Sequence, residues 1–203
     1  MIEYKVESLE QADVLVLPFF KDNLDIERFD FLSDSTAYQV KKVLNSQDFE
    51  AEKMSSSLVY ISEDSLSRVY LLGIGEKEDF SIRNWKNSIG SAIKNLQEKD
   101  LSNISVCLPK KLLQEFSAKK GSQETVAAIE TANYAFDKYK DEEDKTKPIE
   151  SVTFVDEFED KQKENITKGA LEGQKVSIGV NLTRDLGNTS PSEMTPTMIA
   201  DTA

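Results

Sequence analysis

The chain contains no histidine and a single cysteine, Cys107. The first absence removes the Ser-His-Asp and Cys-His arrangements of nucleophilic catalysis, together with the commonest metal ligand. Any chemistry carried by these residues would use carboxylates, lysines or tyrosines. The second excludes an internal disulfide and points to a reducing, cytoplasmic compartment. Long apolar runs are also missing. The stretch VLVLPFF at residues 14–20 is far shorter than the roughly 20 residues a membrane helix needs. The opening MIEYKVESLEQADV carries acids where a signal peptide has a basic block followed by an apolar one. Positive charge is in deficit, with 25 Lys and Arg against 37 Asp and Glu and a net charge of −12. Nucleic-acid binding rests on phosphate neutralisation, so this balance has the wrong sign for it. The pairs Lys41-Lys42, Lys110-Lys111 and Lys119-Lys120 are scattered among acids and form no basic stripe.

What is present is a soluble globular balance, 38% hydrophobic and 31% charged over 203 residues. A chain of this length buries enough surface to hold a core without disulfides or metals. Residues 12–20, ADVLVLPFF, read as a buried strand ended by Pro18. Residues 34–44 place Ala37, Val40, Val43 and Leu44 at helical spacing. Residues 57–62, SLVYIS, and 68–75, RVYLLGIG, read as strands, the latter apolar on both faces as in a central parallel strand. The clearest helix is SIRNWKNSIGSAIKNLQ, where Ile82, Trp85, Ile89, Ile93 and Leu96 make one stripe behind the N-cap Ser81.

A further strand is expected at residues 104–109 and a helix at 123–139, with Val126, Ile129, Ala132, Phe136 and Tyr139 on one face. The charged run KDEEDKTK at 140–147 reads as a solvated loop, because consecutive carboxylates do not converge on an ion without support. A last strand, SVTFV at 151–155, precedes a long helix over residues 159–186. Gly169, Gly173 and Gly179 weaken that helix by about 1 kcal/mol each relative to Ala, a cost offset where a backbone packs closely. Strands alternating with helices predict an α/β fold, a three-layer mixed sheet with helices on both faces, followed by a long linker helix.

The residues that could carry chemistry also have structural readings. GIGEKEDF at 73–80 lacks the third glycine of a dinucleotide fingerprint and the GK[ST] ending of a P-loop, so it reads as a strand end and turn. Cys107, inside a strand and without a histidine to activate it, reads as a small buried hydrophobe. Trp85 and Phe136 are expected as core anchors. Lys168 and Glu172 are spaced as a helical ion pair. Asp156, Glu157, Glu159 and Asp160 suit the positive end of the long helix. No residue up to about 180 makes a convincing active site.

The final stretch is more specific. NLTRDLGNTSPSEMTPTMIADTA resembles the segment that opens the catalytic domain in the leucyl aminopeptidase (cytosol aminopeptidase) family. That segment has the pattern N-x-x-R-x-L, then an S-P or N-x-P turn, M-T-P and a helix. This chain supplies Asn181, Arg184, Leu186, Asn188, Ser190-Pro191 and Met194-Thr195-Pro196. Upstream, RVYLLGIG and TANYAFDKYK at 131–140 resemble other family segments. Thr195 is placed to cap a helix beginning at Pro196.

The resemblance implies an N-terminal, macro-domain-like lobe over residues 1–158, an interdomain helix over 159–186 and the start of a catalytic domain over 187–203. It also implies a parent enzyme that removes N-terminal residues from peptides with two divalent ions, zinc or manganese, as a cytoplasmic homo-oligomer, a hexamer in the family. The family's catalytic and metal-binding motifs match no position here, so no catalytic, metal or substrate-binding residue is assigned and no cofactor is expected in these residues. The partners implied are the chain's own catalytic domain and other subunits. The alternative is a macro-like binding module for a nucleotide, ADP-ribose or a partner protein.

Overall fold

The computed structural model describes residues 1–9, 11–46, 48–63 and 65–203. Six strands form one sheet: β1 (Glu3–Val6), β2 (Val14–Phe19), β3 (Ser56–Tyr60), β4 (Arg68–Gly73), β5 (Asn103–Val106) and β6 (Ser151–Phe154). The helices are α1 (Asp34–Asn45), α2 (Ile82–Gln97), α3 (Lys110–Asn133), α4 (Asp160–Asn188) and α5 (Pro196–Thr202), with one 3-10 turn at Glu142–Asp144. Across the sheet the order is β1-β6-β5-β2-β4-β3. Every pairing is parallel except that of β3 with β4.

The central position of β2 explains its unbroken apolar run. Val14 and Val16 face one side of the sheet, packing in a core with Trp85, Ile89 and Ile93 of α2 and Val126 and Ile129 of α3. Leu15, Leu17 and Phe19 face the other side, where they join Val40 and Leu44 of α1 and Phe29 and Phe49 of the connecting segments. A strand buried on both faces has no polar side to show. The sheet is mixed, with helices on both faces, as the alternation of elements predicts.

Pro18 does not end β2. Pairing with β5 stops at Val16, and pairing with β4 continues through Pro18 to Phe19. The missing proline N–H therefore costs no ladder bond, and the Pro18 carbonyl accepts from the Arg28 guanidinium instead.

Three other differences have local causes. β1 pairs with β6 at the sheet edge and is only half-buried along one face, so its EYKV sequence carries almost no apolar signal. α3 begins at Lys110, not near residue 123, and is two helical pieces joined at Ser117, whose φ of 63° and ψ of 156° break the ladder. The same helix ends at Asn133, six residues short of the predicted end. There the Asn133 side chain accepts from the Ile149 N–H at 2.7 Å and donates to the Ile149 carbonyl at 3.2 Å, drawing the chain toward β6. Phe136 and Tyr139 therefore leave the helix and pack edge-to-face on each other at 5.6 Å, so Phe136 is no helix-borne core anchor.

Ser81 caps α2 by accepting from the Asn84 N–H at 3.2 Å, and Thr195 caps α5 by accepting from the Met198 N–H at the same distance. Trp85 is fully buried, and its Nε1–H donates to the Thr125 hydroxyl of α3 at 2.7 Å. On α4, Lys168 pairs with Glu164 and Glu172 with Lys119 of α3, each at 2.6 Å, in place of the expected Lys168–Glu172 pair. Among the described residues no helix is long and apolar enough to cross a membrane.

Candidate functional site

α4 packs along α3 through its first half. Ile166, Gly169, Ala170, Gly173 and Ser177 make its buried face. A Cβ on Gly169 would lie 2.1 Å from the Lys119 carbonyl oxygen, and one on Gly173 would lie 2.5 Å from that of Gln123. The two glycines therefore let the helix backbones touch. The other sides of the helix behave differently. Leu171, Val176, Ile178, Val180 and Leu182 are 42–54% exposed. Leu171, Ile178 and Leu182 recur at spacings that keep them on one side of the helix, and Val176 and Val180 share another. Five large apolar side chains along three turns thus stay exposed in two separate stripes, more than a solitary domain would need.

Beyond that surface, the two segments that carried the family resemblance meet. Arg184 lies over the Tyr134 ring, its Cζ 3.8 Å from the centroid, and its Nη1 donates to the Thr131 carbonyl at 2.9 Å. The Tyr134 hydroxyl donates to Asp185 Oδ1 at 2.8 Å and accepts from Asn188 Nδ2 at 3.2 Å. Burial, followed by the Asp185 carboxylate, holds the phenol above its usual range, so Tyr134 remains a donor at neutral pH. The Ser190 N–H donates to the Tyr139 hydroxyl at 2.9 Å, and Lys138 bridges to Glu193. Arg184, Asn188 and Ser190 are thus bound to Thr131, Tyr134 and Tyr139. Together they clamp the chain leaving α3 against the end of α4. A cavity of about 560 Å³ lies beneath the clamp, lined by Phe136, Asp137, Leu182, Leu186, Met198 and Thr202, among others.

The other positions singled out from sequence fall elsewhere. Gly73 and Gly75 close β4 where residues 51–55 lie against it. A Cβ on Gly73 would meet the Glu52 carbonyl oxygen at 2.1 Å, and Gly75, at φ +75°, donates to the Ala51 carbonyl. They serve a strand end, not a phosphate loop. Cys107 follows β5 and is 2% exposed, with Sγ 3.8 Å from Asp156 Oδ2. Burial and then the Asp156 carboxylate push its thiol far up, which removes thiolate chemistry at neutral pH.

Arg28 stands in the same cluster. Its guanidinium lies 4.3 Å from the Phe29 ring centroid and 5.5 Å from that of Phe19. A divalent ion would meet a partly buried cation there. Among the described residues no group of three or more His, Cys, Asp or Glu is placed to hold a metal ion. The charged run at 140–147 is mostly exposed, with Lys145 bridging to Glu142.

The architecture is shared with an α/β portion of larger solved structures. A mutant of tomato leucine aminopeptidase superposes with a TM-score of 0.75 over 99% of this chain and 41% of its own, at 18% identity. The bottromycin maturation enzyme BotP in complex with Mn superposes with a TM-score of 0.66 over 94% of this chain and 36% of its own, at 16% identity. Residues 16–143 match the model of the cytosol aminopeptidase family, N-terminal domain, and the chain belongs to that family.

Its relatives include the probable cytosol aminopeptidases of Protochlamydia amoebophila, 28% identical over 98% of this chain and 39% of that protein, and of Chromohalobacter salexigens, 27% identical over 100% of this chain and 41% of that protein. The chain spans about two fifths of the length of these relatives. Their alignments extend past residue 143 over essentially the whole chain, through α4 and the clamp.

Proposed function

We propose that the chain is the supporting N-terminal lobe of a metal-dependent aminopeptidase that removes N-terminal residues from peptides. In this reading residues 1–158 form the lobe, 159–186 the interdomain helix and 187–203 the first residues of a catalytic domain. The observation that carries it is the pairing of the clamp with the exposed apolar side chains of α4. The clamp fixes the direction in which the chain leaves the lobe, and the apolar side chains give a following domain a surface to cover.

The relatives' additional length supports a hydrolytic portion outside the residues aligned here. Two divalent ions, zinc or manganese, would there activate a water for attack on the peptide bond. The donors in the present residues do not fit such ions, so no step is assigned to them. The enzyme would work in the cytoplasm as a homo-oligomer, a hexamer by family resemblance, without nucleic-acid or membrane partners. The lobe would contribute subunit contacts and limit access to the metal site.

The test has two arms. The purified 203-residue chain, assayed on leucyl-p-nitroanilide with added zinc or manganese, is expected to release no nitroaniline, and metal-dependent turnover would overturn the reading. Adding the remaining three fifths of the Protochlamydia relative in trans is expected to slow hydrogen exchange across residues 171–182. Unchanged exchange there would remove the supporting role even if the chain proved inactive.

A further inference from the structure

A groove runs between α2 and α4 across the outer face of α3, with a volume of about 590 Å³. Its floor is made of small residues, Gly90 of α2 and Ala127, Ala128, Thr131 and Ala132 of α3. Val176 and Val180 of α4 line one wall and are exposed. They lie one helical turn apart and form a continuous apolar edge. Glycine is a poor residue inside a helix, and a Cβ on Gly90 would meet only that of Ala132, at 3.8 Å. The packing of the domain itself therefore does not require Gly90, which keeps the groove open.

The opposite wall is basic. α2 carries Arg83, Lys86 and Lys94 and no acidic residue, in a chain with 37 Asp and Glu against 25 Lys and Arg. The three cations and Gly90 recur at spacings of three and four, so they share one side of the helix. Lys86 is paired with Glu124 at 2.6 Å. Arg83 and Lys94 pair with no carboxylate among the described residues. Lys94 reaches Gln97 Oε1 at 3.4 Å and the Tyr134 carbonyl at 3.5 Å, close to Arg184, which donates to the Thr131 carbonyl at that end of the groove. Burial and then the Arg184 guanidinium hold the Lys94 ammonium below its usual range, against a smaller opposing effect of Asp137, whose carboxylate is bonded to Lys140. An anionic group beside Lys94 would relieve this repulsion.

We propose that this groove docks an amphipathic α-helix of a partner protein, its apolar stripe on Val176, Val180 and the alanine floor and its acidic flank along Arg83 and Lys94. An apolar wall facing a basic one is complementary to a helix that carries the two characters on adjacent sides. A basic helix would face three cations on α2. A nucleic-acid backbone would gain from the α2 wall alone and leave the valines unused. A second copy packed groove to groove would bring two basic walls together. The groove lies on a different side of α4 from Leu171, Ile178 and Leu182, so docking here does not depend on the aminopeptidase reading.

The test titrates the full chain with a fluorescein-labelled helical peptide about five turns long, bearing an alanine–leucine stripe beside a glutamate stripe. The same peptide with lysine for glutamate and a mixed-sequence DNA duplex serve as competitors. The glutamate peptide is expected to bind saturably, to shift the amide NMR signals of Gly90, Ala127, Thr131 and Val180, and to weaken as salt is raised. Gly90→Gln, which fills the groove without a clash in the fold, should weaken it about tenfold or more. The double variant Arg83→Gln and Lys94→Gln should weaken it about fivefold and flatten the salt dependence, and serves if Gly90→Gln fails to fold. Equal binding of the lysine peptide, displacement by the duplex, concentration-dependent shifts of the same signals without peptide, or unchanged affinity in both variants would overturn the proposal.

Discussion

Arg184 lies over Tyr134 with its Cζ 3.8 Å from the ring centroid, while its Nη1 donates to the Thr131 carbonyl at 2.9 Å. The planar guanidinium can do both at once, stacking through its face and donating through its edge, which a lysine ammonium cannot. Arg184→Lys is therefore expected to cost about 1 kcal/mol in urea denaturation, the scale of one cation–π contact. The loss should be local. Hydrogen exchange should rise at residues 134–139 and 188–193 and stay unchanged in α2. A uniform rise across the domain would show that the clamp belongs to the core.

The glycines of α4 separate into two kinds. A methyl group on Gly169 would sit 2.1 Å from both the Lys119 carbonyl oxygen and the Ser122 hydroxyl, whereas one on Gly179 meets nothing within 4 Å. Gly169→Ala should therefore destabilise by about 2 kcal/mol, as the two helices are forced apart. Gly179→Ala should stabilise by about 1 kcal/mol, because it keeps the helix and reduces the freedom of the unfolded chain. Thermal melts of the two variants should move in opposite directions. A shared direction would refute the assignment of Gly169 as a contact glycine.

This division shows which parts of the molecule could be read in advance. The cost of three glycines in one helix is visible in sequence, but which of them faces α3 depends on a packing partner some 50 residues upstream. α2 was readable in full, Ile82–Gln97, because one stripe and one N-cap determine it locally. The centre of the sheet was readable because strands buried on both faces have no polar positions to confuse the pattern. β1 was not, since its four residues gain their place only by pairing with β6. The overrun of α3 past Asn133 has a similar origin. Phe136 and Tyr139 keep helical spacing, yet the Asn133 side chain bonds the distant Ile149 backbone.

The motif around Asn181 and Arg184 could be recognised as a pattern, but its contact with Thr131 and Tyr134 is tertiary. The cleft between Ile2, Ile149 and Asn181 gave no linear signal, because its lining comes from the N-terminus, α3, α4 and the entry to β6.

Cys107 offers a probe of global opening. Its thiol is 2% exposed, and burial beside Asp156 disfavours the reactive thiolate. Modification by an aromatic disulfide reagent should therefore proceed at the rate of unfolding and accelerate with urea along the unfolding transition. Arg28→Met, which removes the cation beside this cluster and the donor to Pro18, is expected to loosen residues 21–33 and speed the modification. Rapid stoichiometric labelling of the native chain would contradict the buried placement of Cys107.

Glu124 joins α2 to α3 and sets an acid limit on their packing. Its carboxylate accepts from Lys120 of the same helix at 2.7 Å and from Lys86 of α2 at 2.6 Å, and these two bonds hold it below the usual carboxylate range. A carboxyl whose folded pKa is depressed contributes stability that is present above its unfolded value, near 4.3, and lost as pH falls through the folded value. Glu124→Gln should therefore cost about 0.5 kcal/mol at pH 7, the scale of a half-exposed ion-pair pair of contacts. The difference between variant and parent should narrow below about pH 4 and vanish once both carry a neutral side chain. Urea midpoints measured from pH 7 down to pH 3 test this directly. A gap that stayed constant over that range would mean that the Gln side chain disturbs packing and that the charge of Glu124 contributes nothing.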